Sequence, residues 1–264
     1  MKRKRLFYDL EVSFCEGWFW RTSWQTRILP NQITRYSQII SVSWRWEGEE
    51  KVHNMDWGLK KQCDKKLVEK FVKIMDSADE IIGYNSKKFD TRWLRTRAIY
   101  HGIPMRHTYN EIDVLSWVKK YCNLPAGNTL AEACKYFSLP HKRDSGGSET
   151  WSGVVFGKSR EALDKMLYYG DGDIISLEAL FNKLEPYARP NMHYGVLRGG
   201  HKFSCPTCGT NKVRLRHTYT TAAGTIQHYM SCQNKGCKTH ETTYKVNNKT
   251  YMDFLDFRLR NGLK

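Results

Sequence analysis

Asp9 and Glu11, in LFYDLEV, stand two residues apart in a segment that alternates like a β-strand. Both side chains therefore leave one face and can converge on one ion. Such a pair is also ordinary surface chemistry. Here, however, Tyr8, Leu10 and Val12 fill the opposite face and Phe7 precedes on the same one; this is the composition of a central strand, where carboxylates need a partner charge. Asp90 follows the apolar run EIIGYN, where a strand ends and a helix opens. A ligand site and a helix N-cap both suit that place. Asn85, in the same turn, reads either as a turn residue or as a substrate contact.

The third acidic stretch is YYGDGD, residues 168–173. Leu163, Leu167, Gly170, Ile174, Leu177, Phe181 and Leu184 step by four and three across both glycines, which predicts one helix through them. Each glycine costs that helix about 1 kcal/mol relative to alanine. Tyr169 and Asp173 then share a face at i and i+4, and Asp171 turns away. A Gly-Asp loop between two helices is the competing reading. On the helical reading, Gly170 and Gly172 permit a close approach, expected to be to the strand that carries Asp9.

The elements that would hold these residues alternate as in an α/β domain. LFYDLEVSF is a strand, and YSQIISVSWRWEGEEKVHNM is a hairpin turning at Glu47 to Glu50. CDKKLVEKFVKIMDSA places Leu67, Phe71, Ile74 and Met75 at helical spacing, and DEIIGYN is a short strand. FDTRWLRTRAIYHG is a helix closed by Gly102; EIDVLSW is a strand or its edge; NTLAEACKYFSLP is a helix capped by Asn128. HKRDSGGSETWSG reads as a loop, and residues 188–202 as a linker. These segments predict one domain over residues 1–190 and a smaller one over 203–264.

DLE at 9–11, NSKKFD at 85–90 and YGDGD at 169–173 resemble, in order and spacing, the three motifs of the DEDDy branch of 3′→5′ exonucleases. The N-x-x-x-F-D form of the second motif is nearest to the proofreading domains of family B DNA polymerases. The resemblance spans roughly residues 5–187. It implies a ribonuclease-H-like mixed sheet of about five strands flanked by helices, an α/β fold. It also implies that Asp9, Glu11, Asp90 and Asp173 hold two divalent cations while Tyr169 orients the attacking water. Hard oxygen donors without nearby His or Cys select Mg²⁺ or Mn²⁺. The expected reaction removes nucleotides from the 3′ end of DNA, single-stranded DNA being favoured over RNA. An exoribonuclease, a structure-specific endonuclease and a non-catalytic nucleic-acid-binding protein remain as alternatives.

The composition agrees with an anionic polymer as partner. The 264 residues carry 43 Lys and Arg against 27 Asp and Glu, a net charge of +16, with nine Trp, 15 Tyr and 11 Phe. Phe14, Trp18, Trp20 and Trp24 follow the first motif and either stack on terminal bases or fill the core. Lys87 beside the second motif and Lys142 and Arg143 in the loop are candidate phosphate contacts. A replication or repair protein is a further candidate partner.

CPTCG and SCQNKGC set Cys205, Cys208, Cys232 and Cys237 as C-x2-C and C-x4-C, 23 residues apart. That is the spacing of a structural four-thiolate zinc site between short strands, here RLRHTYT and IQHYMSC, and it resembles a zinc ribbon. With Lys212, Arg214 and Arg216 around it, the ribbon reads as a nucleic-acid clamp, a protein-docking role being the alternative. Residues 201–264 hold 11 Lys and Arg against 3 Asp and Glu, half the excess charge in a quarter of the length. TYMDFLDFRLRNGL is expected to close the unit as a helix. The start, MKRKRLFYDLEV, loses its apolar run at Asp9 and Glu11, so no secretory or membrane segment is expected. Scattered single cysteines fit a reducing, cytoplasmic location.

Overall fold

A computed structural model describes residues 3–20, 28–106, 109–140, 146–188, 192–197 and 199–262. Trp24, Lys142 and Arg143 lie outside the described residues. The chain divides into two compact units, Met1–Ala188 and Arg189–Lys264.

In the first unit, β1 (Arg5–Val12) buries both faces: Leu6, Tyr8 and Leu10 on one side and Phe7 on the other. Apolar residues on both faces suit a central strand. After a small sheet of β2 (Glu16–Gly17) and β3 (Ile33–Arg35), β4 (Ile39–Trp46) and β5 (His53–Asp56) form the expected hairpin. The main sheet runs β5-β4-β1-β6-β7, with β6 at Glu80–Gly83 and β7 at Asn110–Asp113. β4 pairs antiparallel and β6 parallel with β1. This is the five-stranded mixed sheet that the motifs imply.

Helices cover both faces. α1 (Lys65–Asp76) and α2 (Asp90–His101) pack on Leu6, Tyr8 and Leu10, and Gly102, left-handed at φ 67°, stops α2. α3 (Val114–Tyr121), α4 (Leu130–Tyr136) and α6 (Arg160–Leu184) cover the Phe7 side. The cap of α4 is Thr129, whose hydroxyl accepts from Glu132 N, one residue later than the Asn128 expected. Residues 147–153 are not a loop: they belong to α5 (Gly147–Val155). The segment has no apolar period of its own, but Val154 and Val155 are buried with Ile40, Trp57, Leu163 and Met166. Tertiary burial supplies what local propensity lacks.

The second unit has α7 (Tyr194–Leu197), then the antiparallel sheet β10-β9-β8. Its strands are β8 (Val213–Thr220), β9 (Ile226–Cys232) and β10 (Tyr244–Asn247), followed by α8 (Asn248–Arg260). Phe203, Val213, Met230, Tyr244, Val246 and Phe254 form its core. The expected linker is partly incorporated here: Tyr194 N donates to Pro206 O at 2.8 Å, and Gly195 sits against Ser204 and Gly209. The third strand, β10, was not among the expected elements. Four residues are too short to show a period.

Candidate active site and metal centres

Phe7, Asp9 and Glu11 share the face of β1 that α6 covers, and the ring of Phe7 meets Phe181 of α6 edge-on at 5.4 Å. From Phe181 back to Asp173 is eight residues, roughly 12 Å of helix. From Phe7 on to Glu11 is four residues, roughly 13 Å of strand. The matched lengths bring Asp173 to the two strand carboxylates. One oxygen from each of Asp9, Glu11 and Asp173 lies within 4.8 Å of the others.

The helix is anchored along its length. Arg5, buried, bridges Glu80 and Glu185 at 2.6 Å each and Glu47 at 2.9 Å, and Arg45 of β4 pairs with Glu178. At the other end Gly170 rests on Ser43 of β4, the residue paired with Asp9. A Cβ on Gly170 would stand 2.3 Å from Ser43 Oγ and 3.2 Å from its Cβ. At Gly170 the close approach is therefore to Ser43, on the strand beside β1. α6 runs unbroken through both glycines, so Tyr169 and Asp173 are both buried at i and i+4. Asp171 turns the other way and accepts from Asn54 Nδ2 at 2.7 Å. Asn54 in turn accepts from Ser43 Oγ at 2.6 Å.

The resemblance implies four carboxylates in one set, but the structure gathers three. Asp90, the first residue of α2, is buried, and its Oδ1 accepts from Leu10 N at 3.0 Å, between Asp9 and Glu11 in the chain. Burial pushes its pKa up to about 7, with Asp113 and Glu111 adding repulsion and the Leu10 N–H opposing. A carboxyl so placed stands directly beside the triad. Asn85 takes the left-handed conformation at φ 60°, its N donates to Asp113 Oδ1 at 2.9 Å, and its O accepts from Lys88 N and Phe89 N. Its backbone thus makes it a turn residue. Lys87 is exposed beside it.

Two aromatic neighbours come from α5, which was expected as a loop. Trp151 meets the Tyr169 ring edge-on at 6.3 Å, and Phe156, just past the helix, stacks on Phe14 at 6.2 Å. Phe14 and Phe156 are both exposed. Trp18 and Trp20 are exposed too and meet edge-on at 6.1 Å, so they do not fill the core. The signal available for α5 was the aromatic residues within a Gly- and Ser-rich stretch.

In the second unit the sulfurs of Cys205, Cys208, Cys232 and Cys237 all lie within 4.8 Å of one another. Cys205 is 3.7 Å from Cys237, and Cys208 is 3.6 Å from Cys232. Thr207 N donates to Cys205 Sγ and Asn234 N to Cys232 Sγ, so each turn presents an N–H to its first thiol. Burial opposes ionisation of Cys205, but N–H groups of Cys208 and Thr207 outweigh it and lower its pKa. Burial, with the charge of Cys205, pushes Cys208 up to about 11. Four converging thiols of this kind ionise together only around a cation, and four sulfur donors suit Zn²⁺. His201 stacks on Phe203 at 4.7 Å and His240 bonds Cys232 O at 3.0 Å, so neither replaces a cysteine.

Residues 27–124 match a family described as a predicted 3′-5′ exonuclease related to the exonuclease domain of PolB. That stretch contains Asp90, Asn85 and Lys87 among the candidate residues. The fold is similar to that of the family B DNA polymerase from the hyperthermophilic archaeon Pyrobaculum calidifontis, with a TM-score of 0.53 and 19% identity. The similarity covers 71% of this chain and 25% of the polymerase. No curated protein sequence matches the chain. The likeness to family B exonuclease domains read from the three motifs is thus met by both findings: a family match around the second motif, and the fold.

Proposed function

We propose that this chain is a metal-dependent 3′→5′ exonuclease that shortens single-stranded DNA by two-metal-ion hydrolysis, with a zinc ribbon as its second unit. The observation that carries this reading is the meeting of Asp9, Glu11 and Asp173, from a central strand and a distant helix, with Asp90 bonded to the backbone between the first two. Those carboxylates would hold the cations. When bound, two divalent ions would lower the pKa of a water and offset charge on a leaving 3′ oxygen. Tyr169 would orient that water by a hydrogen bond, since a phenol is too weak an acid to be a ready base at neutral pH. Phe14 and Phe156 would stack on the terminal bases, and Lys87 would meet a phosphate.

Cys205, Cys208, Cys232 and Cys237 would hold the structural zinc, leaving no open position for catalysis. The excess of positive charge supports a nucleic-acid substrate, and a replication or repair protein would present the 3′ end. Among the described residues no helix is long and apolar enough to cross a membrane. Four cysteines scattered singly and four gathered in one cluster would suit a reducing, cytoplasmic compartment.

The test incubates 5′-labelled single-stranded DNA, duplex DNA and RNA with Mg²⁺ or Mn²⁺, using wild type, Asp9→Asn, Asp173→Asn and Asp171→Asn. A ladder shortening from the 3′ end of DNA, lost in Asp9→Asn and Asp173→Asn and kept in Asp171→Asn, supports the proposal. Internal cuts, or preference for RNA, replace it with an endonuclease or an exoribonuclease. Binding without cleavage removes the catalytic reading.

A further inference from the structure

We infer that the face of β8-β9-β10 turned away from α8 is a platform for single-stranded DNA, with the His217–Tyr229 pair as its stacking surface. This deepens the nuclease reading above by saying where the strand is held.

The argument begins with the register. His228, Met230 and Cys232 of β9 are buried, and on that side α8 covers the sheet: the Tyr251 ring stacks on His228 at 4.0 Å and Phe254 joins Met230 in the core. The opposite side carries Gln227, Tyr229 and Ser231, which pair with Tyr219, His217 and Arg214 of β8. On β10, Lys245 pairs with Tyr229. A bulge lies between Leu215 and His217. Without that extra residue His217 would fall on the covered side; with it, His217 lies flat on Tyr229, ring centroids 4.4 Å apart and planes 11° from parallel. Bulges re-aim side chains in this way.

The cations are arranged on the same face. Arg214 Nε and Arg216 Nε both donate to the buried Ser231 Oγ, at 3.4 and 3.0 Å, and both arginines are exposed. Lys245 is exposed beside Tyr229, and Tyr219 keeps 55% of its surface exposed. β8, β9 and β10 contain no acidic residue. On this face of β8, Arg214, His217 and Tyr219 are all exposed, so two flat rings and a guanidinium stand in solvent together. A face that combines positive charge and flat rings and lacks carboxylates complements phosphates and unpaired bases together. A duplex offers the phosphates but keeps its bases stacked, and an acidic protein would not use the rings.

The experiment measures binding apart from cleavage. The full chain carrying Asp9→Asn and Asp173→Asn, with no chelator, is titrated into 5′-fluorescein oligo(dT), the RNA of the same sequence, and a duplex. Tyr229→Ala should weaken oligo(dT) binding roughly 5- to 100-fold and Tyr229→Phe should restore it, since one base stack is involved. Arg214→Gln with Arg216→Gln should lower affinity and reduce the slope of log K against log salt by about 1 to 2. Zinc content, one per chain, reports that each variant is folded. If Tyr229→Ala loses its zinc, the exposed His217→Ala and Tyr219→Ala variants decide instead. Unchanged oligo(dT) affinity and salt slope in the folded variants overturn the inference; tighter binding to RNA or duplex assigns the face to that polymer and overturns it as stated. Retained binding in a chain whose wild type never cleaves leaves this face standing and removes the nuclease reading.

Discussion

Asp171 and Asp173 are two residues apart, yet one is tied to an edge strand through Asn54 and the other is buried beside Asp9 and Glu11. The difference is the 200° that two helical steps impose, and it makes Tyr169, one turn before Asp173, the phenol on the triad's side. Tyr169→Phe should lower single-turnover cleavage of single-stranded DNA at least tenfold while leaving the melting temperature within a degree or two. A rate equal to wild type would take the hydroxyl out of the reaction. Gly170 makes a separate prediction. An added methyl meets Ser43 Oγ, so Gly170→Ala should destabilise the first unit by about 1–3 kcal/mol in urea unfolding, the usual cost of overpacking. Ser43→Ala removes that oxygen and should recover most of the loss. Full stability of the single variant would mean that Ser43 rotates freely and that the glycine is mere tolerance.

Elements hold these residues in place, and one buried ion pair ties several of them together. Asp64, just before α1, accepts from Arg97 at 2.6 and 2.9 Å, pairs with His101 at 2.7 Å and accepts from Ile39 N at the start of β4. Burial alone would raise its pKa; the Arg97 and His101 bonds outweigh it and the pKa is lowered. A carboxylate depressed in the folded state contributes stability that is complete above its unfolded pKa, about 3.9, and is lost as pH falls through the folded value. Asp64→Asn should therefore cost about 3–5 kcal/mol at pH 7, where it leaves the Arg97 charge unpaired. The difference from wild type should shrink below about pH 4; a gap independent of pH would assign the cost to packing. α5 shows the limit of local reading. GSETWSGVV has no helical period, and its helix exists because Val154 and Val155 meet a core built from Ile40, Trp57, Leu163 and Met166.

At the scale of the whole molecule, the proposed zinc makes a claim about the second unit, whose core is small. Cys205→Ser should abolish zinc retention and lose the near-ultraviolet signal of Tyr244 and Phe254, while the first unit keeps its own unfolding transition, since the two units have separate cores. A single shared transition in both proteins would refute that independence. Spacing alone was enough for the cysteine quartet, the strand that carries Asp9 and Glu11, and the unbroken helix through YYGDGD, because strand alternation, helical period and paired-thiol turns are local properties. The five-stranded mixed sheet followed from the motifs. Not legible were β10, α5 with Trp151 and Phe156, the bulge that turns His217 outward, and the turn of Asp90 toward Leu10 N. Each depends on residues far apart in the chain: burial for α5, the two-against-one pairing with β9 for His217, an unpaired strand N–H for Asp90. The sequence by itself determined which carboxylates face the same way. Only the tertiary structure decided that three of them meet and the fourth stands beside them, because the matched lengths of β1 and α6 and the contact of Gly170 with Ser43 are set by packing between elements, which no local period records.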